Sequence, residues 1–171
     1  YDGKVIFQTR QLTFAPYSMT EIETVMELIS KNLNIDVNIG TNDDLSKVDI
    51  ISTVTPSRNP LFDHENLKPG VHINAIGSFK PSMVEIPIET IISSNVFVDS
   101  IGACKDEAGD LINASENSDW TFNDVCCEIG DIINKTETYK QNSKKITLFK
   151  SVGIGIQDLV MSELILDKLG N

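Results

Sequence analysis

The segment from Lys145 to Asp158 constrains this chain most. A short β-branched and apolar run, Ile146-Thr147-Leu148-Phe149, ends in a small, polar turn, Ser151-Val152-Gly153, and an amphipathic pattern begins at once behind it. A strand that delivers a hydroxyl, a glycine and backbone N–H groups to a helix N-terminus is how α/β proteins hold an anionic or polar ligand. The chain ahead of this segment repeats the alternation. Val48–Val54 (Val-Asp-Ile-Ile-Ser-Thr-Val) lacks clean polar alternation and reads as a buried parallel strand, and Val71–Ile76 and Val96–Asp99 read as further strands. Helical stretches are expected at Lys4–Ala15, behind Thr20 and Glu23 (a capping-box spacing), at Pro87–Ser93, near Ala103–Ala114 and Phe122–Asn134, and at Gly153–Leu169. Strands alternating with helices mean an α/β fold with a doubly wound, mostly parallel sheet and helices on both faces.

Three strand ends carry small polar residues: Thr53-Val54-Thr55, Ile76-Gly77-Ser78 and Lys150-Ser151-Val152-Gly153. Ligands of open α/β sheets bind beyond the carboxyl ends of the strands. One such end serves merely to turn the chain; three converging ends point to a dinucleotide crevice. The formal net charge of −11 argues against nucleic acid and against anionic membrane surfaces. No stretch approaches a membrane span and no signal peptide opens the chain. Cys104, Cys126 and Cys127 are odd in number. The adjacent pair falls in a helical pattern, so buried free thiols in a reducing cytoplasm are expected. No Cys/His cluster has metal-ligand spacing, so no metal is expected.

Several words resemble those of the ornithine cyclodeaminase/mu-crystallin family, in that family's order. Asp49 to Arg58 (Asp-Ile-Ile-Ser-Thr-Val-Thr-Pro-Ser-Arg) is similar to its "aDII-T-T-S" strand and loop, and Leu67 to Ser78 (Leu-Lys-Pro-Gly-Val-His-Ile-Asn-Ala-Ile-Gly-Ser) to its "LKPGxHxNAxG" word. Val96–Ser100, Glu107–Leu111, Glu128–Asp131 and the "TLFKSVG" of Thr147–Gly153 continue the series, which covers nearly the whole chain. The resemblance implies that residues 1–171 form one Rossmann-type NAD(P)-binding domain of a longer enzyme. It also implies dinucleotide contacts at Gly3, Ser18, Thr55, Ile76, Gly77, Ser78 and Ser151.

The chain departs from the family's pattern in ways that bear on chemistry. The first strand and the first glycine of the phosphate loop are not found; only Gly3, ahead of Phe7-Gln8-Thr9-Arg10-Gln11, resembles the loop's remainder. About a strand's length is missing between Pro16 and Tyr17, and the start at Tyr1 suggests a fragment. Met19 stands where an Arg often pairs with a 2′-phosphate, which favours NAD over NADP. Ornithine-cyclising members place an acid/base Asp where this chain has Phe79, within Gly77-Ser78-Phe79-Lys80-Pro81-Ser82-Met83-Val84-Glu85. Phe79 moves no proton, leaving Lys80 and Glu85 as nearby catalytic candidates, against the reading of a solvated pair. Arg58 is placed either against a cofactor phosphate or in solvent, and His64 and His72 read as satisfied or solvated histidines.

The resemblance thus implies an enzyme part that moves hydride between nicotinamide and the α-carbon of an amino or imino acid. Deamination, cyclisation, imine reduction and condensation with an amine all stay open. The parent is expected to be a homodimer, and the chain alone inactive. The alternatives are a non-catalytic mu-crystallin-like binding protein and a truncated domain without activity.

Overall fold

A computed structural model describes residues 5–7, 19–135, 139 and 142–169. They fall into two compact units, Tyr1–Ser46 and Lys47–Asn171.

In the first unit, β1 (Val5–Phe7) pairs in parallel with β2 (Val37–Ile39), Val5 opposite Val37. β1 falls where a helix was expected, and most of the rest of that stretch, 8–15, lies outside the described residues. Between the strands runs α1 (Met19–Leu33). It begins before Thr20, so Thr20 sits within the helix and its carbonyl accepts the Thr24 hydroxyl at 2.7 Å. The residue after its last turn, Asn34, has φ +51°. Asn is one of the few side chains that tolerates this left-handed helix stop.

The second unit is built on a five-stranded, all-parallel sheet of order β3-β4-β7-β5-β6. The strands are β3 (Ile50–Thr53), β4 (His72–Ala75), β5 (Asn95–Val98), β6 (Val125–Glu128) and β7 (Thr147–Lys150). The last strand in sequence slots between β4 and β5, so β7 is central. One face carries Ile51, Thr53, Ile73, Ala75, Leu148, Lys150, Val96 and Val98, and all are buried. The facing helices are α2 (Ile88–Ser93), α3 (Ile101–Glu107) and α4 (Gly109–Asn117), which contribute Ile91, Cys104 and Leu111 to this core. The other face is half-covered: Ile50 and Ser52 are exposed, while His72, Asn74, Thr147 and Phe149 are half-buried. A polar row crosses it, from His72 Nδ1 to Thr147 Oγ1 (2.7 Å), His72 Nε2 to Asn74 Oδ1 (3.1 Å) and Asn74 Nδ2 to Ser52 Oγ (3.3 Å). His72 is therefore a satisfied sheet residue.

Two expected helices resolve differently. The stretch near Ala103–Ala114 is two helices, because Ala108 (φ −77°, ψ 86°) breaks the turn between α3 and α4. The break presses Gly109 against the loop before α2: a Cβ there would lie 2.1 Å from the Met83 carbonyl oxygen and 2.5 Å from that of Lys80. The stretch Phe122–Asn134 is a 3-10 turn, then β6, then α5 (Ile129–Ile133). Pairing with β5, through a register shift between Val96 and Phe97, overrides the helical periodicity. Cys126 and Cys127 accordingly lie on a strand, Cys126 exposed and Cys127 half-buried; only Cys104 of the three free thiols is buried. Among the described residues no helix is long and apolar enough to cross a membrane.

Candidate functional site

Three buried carboxylates organise the carboxyl ends of the central strands. Glu85, fully buried, lies under the ends of β3 and β4. Its Oε2 accepts the Thr53 hydroxyl at 2.8 Å and the Gly77 N–H at 2.9 Å, and its Oε1 accepts the Thr55 N–H at 2.5 Å. Gly77 is glycine for a reason internal to this joint: an added Cβ would fall 2.2 Å from Thr55 N and 2.4 Å from Glu85 Oε1. Thr55 Oγ1 in turn accepts the Ser57 N–H at 3.2 Å, a local turn.

Asp99, at the end of β5, holds the turn after β7. Its Oδ2 accepts the Ser151 hydroxyl (2.7 Å) and the N–H groups of Val152 and Gly153 (both 3.0 Å). Its Oδ1 accepts the Ser100 N–H at 2.8 Å. Gly153 has φ +82°, which favours glycine there. The amides expected to be free for a ligand at this helix start are engaged by Asp99 instead. Burial, reinforced by the neighbouring Asp99 carboxylate, pushes the Cys104 thiol up to about 12.

Asp110 links the helices to the crevice loop. Its Oδ1 accepts the N–H groups of Glu85 (2.6 Å) and Ile86 (3.0 Å), and its Oδ2 lies 3.3 Å from Lys150 Nζ. Both side chains of that ion pair are buried, and neither of those two atoms makes a hydrogen bond. Burial pushes the Asp110 carboxyl up from its ordinary range, with the Lys150 charge opposing. Ser78 completes the joint: its hydroxyl donates to the Met83 carbonyl at 2.7 Å and accepts the Asp110 N–H at 3.2 Å.

Thr55, Gly77, Ser78 and Ser151 are thus gathered at one end of the sheet, with their side-chain or amide groups turned into the protein. Ile76 sits among them and is 36 % exposed; Val54, one step past the Thr53–Ala75 register pair, is 70 % exposed. Phe79 is 44 % exposed, with Lys80 Nζ 5.5 Å from its ring centroid. The exposed large apolar residues of these strand-end loops are Val54, Ile76 and Phe79, and Arg58 and Lys80 of the same loops are exposed as well. Gly3 and Ser18, expected as dinucleotide contacts, lie outside the described residues. Of the catalytic candidates, Lys80 is exposed, whereas both oxygens of Glu85 are occupied inside the protein. Arg58 is exposed, its backbone bridged to Val84, and His64 Nδ1 lies 3.1 Å from Thr90 Oγ1. Sequence reasoning missed Asp99, Asp110 and Lys150. The available signal was charge at positions whose strand and helix neighbours are apolar.

The family model for ornithine cyclodeaminase/mu-crystallin matches residues 8–171. The Delta(1)-pyrroline-2-carboxylate reductase of Bacillus thuringiensis subsp. konkukian is 39 % identical over 133 residues, 77 % of this chain and 41 % of that protein. The mouse ketimine reductase mu-crystallin is 34 % identical over 119 residues, 70 % of this chain and 35 % of that protein. Among solved structures, the Thermococcus litoralis Delta(1)-pyrroline-2-carboxylate reductase in complex with NADH and L-proline superposes with a TM-score of 0.85 at 26 % identity. That match covers 96 % of this chain and 50 % of the other. The chain therefore spans about two fifths of the length of the curated reductases it matches.

Proposed function

This chain belongs to the ornithine cyclodeaminase/mu-crystallin family, and on that premise we propose that it is the dinucleotide-binding part of an NAD(P)-dependent enzyme acting on imino acids. What supports the reading is that the strand-end loops, pinned from inside by buried carboxylates, leave the apolar side chains of Val54, Ile76 and Phe79 exposed. These side chains are the proposed apolar contacts of a nicotinamide or adenine ring, while Thr55, Gly77, Ser78 and Ser151 set the course of the backbone at the strand ends. Gly3, in the phosphate-loop remnant, and Ser18, in the ribose-facing loop, remain proposed dinucleotide contacts. Met19 supports NAD over NADP.

When bound, the dinucleotide supplies the hydride. The chain's own residues position and shield; no side chain at the Phe79 position moves a proton, and Glu85 is committed to Thr53, Thr55 and Gly77. This supports hydride transfer to the carbon of an imine over ornithine cyclodeamination, in keeping with relatives named for reducing pyrroline carboxylates and ketimines. Substrate, reaction and a homodimeric, cytoplasmic whole protein are proposals for the full-length enzyme. The 171-residue chain alone is expected to turn nothing over. Phe79 also favours a second reading, dinucleotide binding without catalysis.

The test is a titration of the chain with NADH and NADPH followed by nicotinamide fluorescence, repeated with Ile76→Glu. Saturable NADH binding that weakens in the variant supports the crevice; no saturable binding of either nucleotide sinks it. NADH consumption by the full-length protein with a cyclic imino acid supports reduction. Binding without turnover across imines and amino acids supports the second reading.

A further inference from the structure

A depression of about 220 Å³ lies beside the amino-terminal ends of β4 and β7. Acidic residues outnumber basic ones in this chain, 25 Asp and Glu against 14 Lys and Arg. Yet Lys68, Lys144, Lys145 and His64 line the depression, and among its described lining residues there is no carboxylate. One sign of charge gathered in a concave place, within a chain of the opposite net charge, marks a site for an anion.

The backbone brings the lysines together. The turn before β4 and the turn before β7 abut at Gly70, where φ is +79° and a Cβ would lie 2.1 Å from the Ser143 carbonyl oxygen. Glycine permits both the left-handed backbone and the close approach. Asn142 fixes the second turn: its Oδ1 accepts the Lys144 N–H and its carbonyl the Lys145 N–H, both at 3.0 Å. Lys68 is thereby brought to the same depression as Lys144 and Lys145, with apolar Leu67 and Ile146 sharing the lining.

The fold does not use up these charges. Lys68 pairs with Asp49, whose side chain is 73 % exposed, so water weakens the attraction. Among the described residues, Lys144 and Lys145 have no ion-pair partner. The end of α2 reaches the depression at Ser93, but its carbonyls are met from within: the Ser93 hydroxyl lies 2.7 Å from the Glu89 carbonyl and 3.1 Å from that of Thr90. His64 spends Nδ1 on Thr90 Oγ1 at 3.1 Å, which leaves Nε2 as its second polar atom.

The lining also indicates which anion. It holds lysines and no described arginine. A guanidinium fork matches a planar carboxylate, whereas separate ammonium groups act as point charges that can close around a compact, multiply charged tetrahedral group. The depression is smaller than the pockets that take drug-sized ligands. We propose that it is a phosphate site, taking inorganic phosphate or the phosphoryl group of a small phosphomonoester through Lys68, Lys144 and Lys145. It lies at the opposite ends of the strands from the dinucleotide crevice and stands apart from that reading.

NMR of the 15N-labelled chain tests this, with inorganic phosphate titrated against chloride at constant ionic strength and glycerol 3-phosphate and succinate titrated in parallel. The expected result is saturable movement of the Lys68, Gly70, Lys144, Lys145 and Ile146 amides by both phosphates, and none by succinate. Tighter binding of glycerol 3-phosphate names an ester as the occupant; tighter binding of inorganic phosphate names the free ion. Lys144→Gln combined with Lys145→Gln should weaken either about tenfold or more, while unmoved resonances of β3 and β5 report that the variant is folded. Lys80→Gln, in the loop beside the crevice, should leave the affinity unchanged. Shifts that do not saturate, or that centre on Thr55, Gly77 or Gly153, overturn the proposal. So do succinate binding as tightly as phosphate and a lysine double variant that binds like wild type.

Discussion

Two regions of the second unit solve the same problem in opposite ways. At the carboxyl ends of the strands, polar groups are buried and nearly all find partners inside the chain: Glu85 takes three donors and Asp99 takes four from backbone and hydroxyl groups. In α6 (Gly155–Leu169), apolar groups are exposed and find no cover among the described residues. The first region is complete in itself, because a buried carboxylate is tolerable only when hydrogen-bonded. The contrast separates polar groups that the fold itself satisfies from an apolar helix face that the described residues leave uncovered.

The contrast is sharpest at Glu85. Glu85→Ala orphans three buried donors and is expected to cost about 4–6 kcal/mol, read by urea unfolding, with Glu85→Gln recovering part of the loss. An alanine variant as stable as wild type would contradict the clamp. Next comes the buried ion pair. Lys150→Met leaves Asp110 as an uncompensated buried charge and is expected to lose about 3–5 kcal/mol. Lys150→Met with Asp110→Asn loses less, because neutral Asn keeps an acceptor for the Glu85 and Ile86 amides. Additive losses in this double variant would break that account.

A smaller effect is expected at alkaline pH. The Cys104 thiol is raised to about 12 in the folded chain, so the folded state holds this proton more tightly than the unfolded one. Its contribution is fully present below the ordinary thiol range and is lost as pH climbs from there towards about 12. The loss should reach about 1 kcal/mol near pH 10. Cys104→Ala should flatten the decline in melting temperature over that window; an unchanged slope counts against it. The smallest effect belongs to the exposed helix. Leu159→Ser, measured at concentrations where the chain is monomeric, is expected to change stability by no more than about 0.5 kcal/mol. A loss of several kcal/mol would mean α6 is packed within its own chain, and the contrast would collapse.

Much of this was legible in the sequence because it was local. Continuous apolar runs at Val48–Val54, Val71–Ile76 and Ile146–Phe149 gave strands where the structure has β3, β4 and β7, and the small polar residues at their ends do converge. β6 was not legible. Val125 to Glu128 is short and falls in a helical period, and only pairing with β5 makes it a strand. The partners of the strand-end residues were hidden for a similar reason. Ser151 and Gly153 read as ligand groups because their acceptor, Asp99, lies 52 and 54 residues away. The role of Glu85 depends on Thr53 and Thr55, which lie 32 and 30 residues before it. Spacing along the chain reports which groups stand at a strand end, not which of them the fold has already used.

Amide hydrogen exchange of the chain, with and without NADH, tests the pre-formed crevice most directly. Without nucleotide, the N–H groups of Thr55, Gly77, Glu85, Ile86, Val152 and Gly153 should exchange only by global opening of their unit, as slowly as the core of β7. NADH should then add little to them. If these amides instead exchange as fast as ordinary loops and become protected only when NADH binds, the carboxylate clamps do not fix the strand ends, and the nucleotide builds the site it occupies.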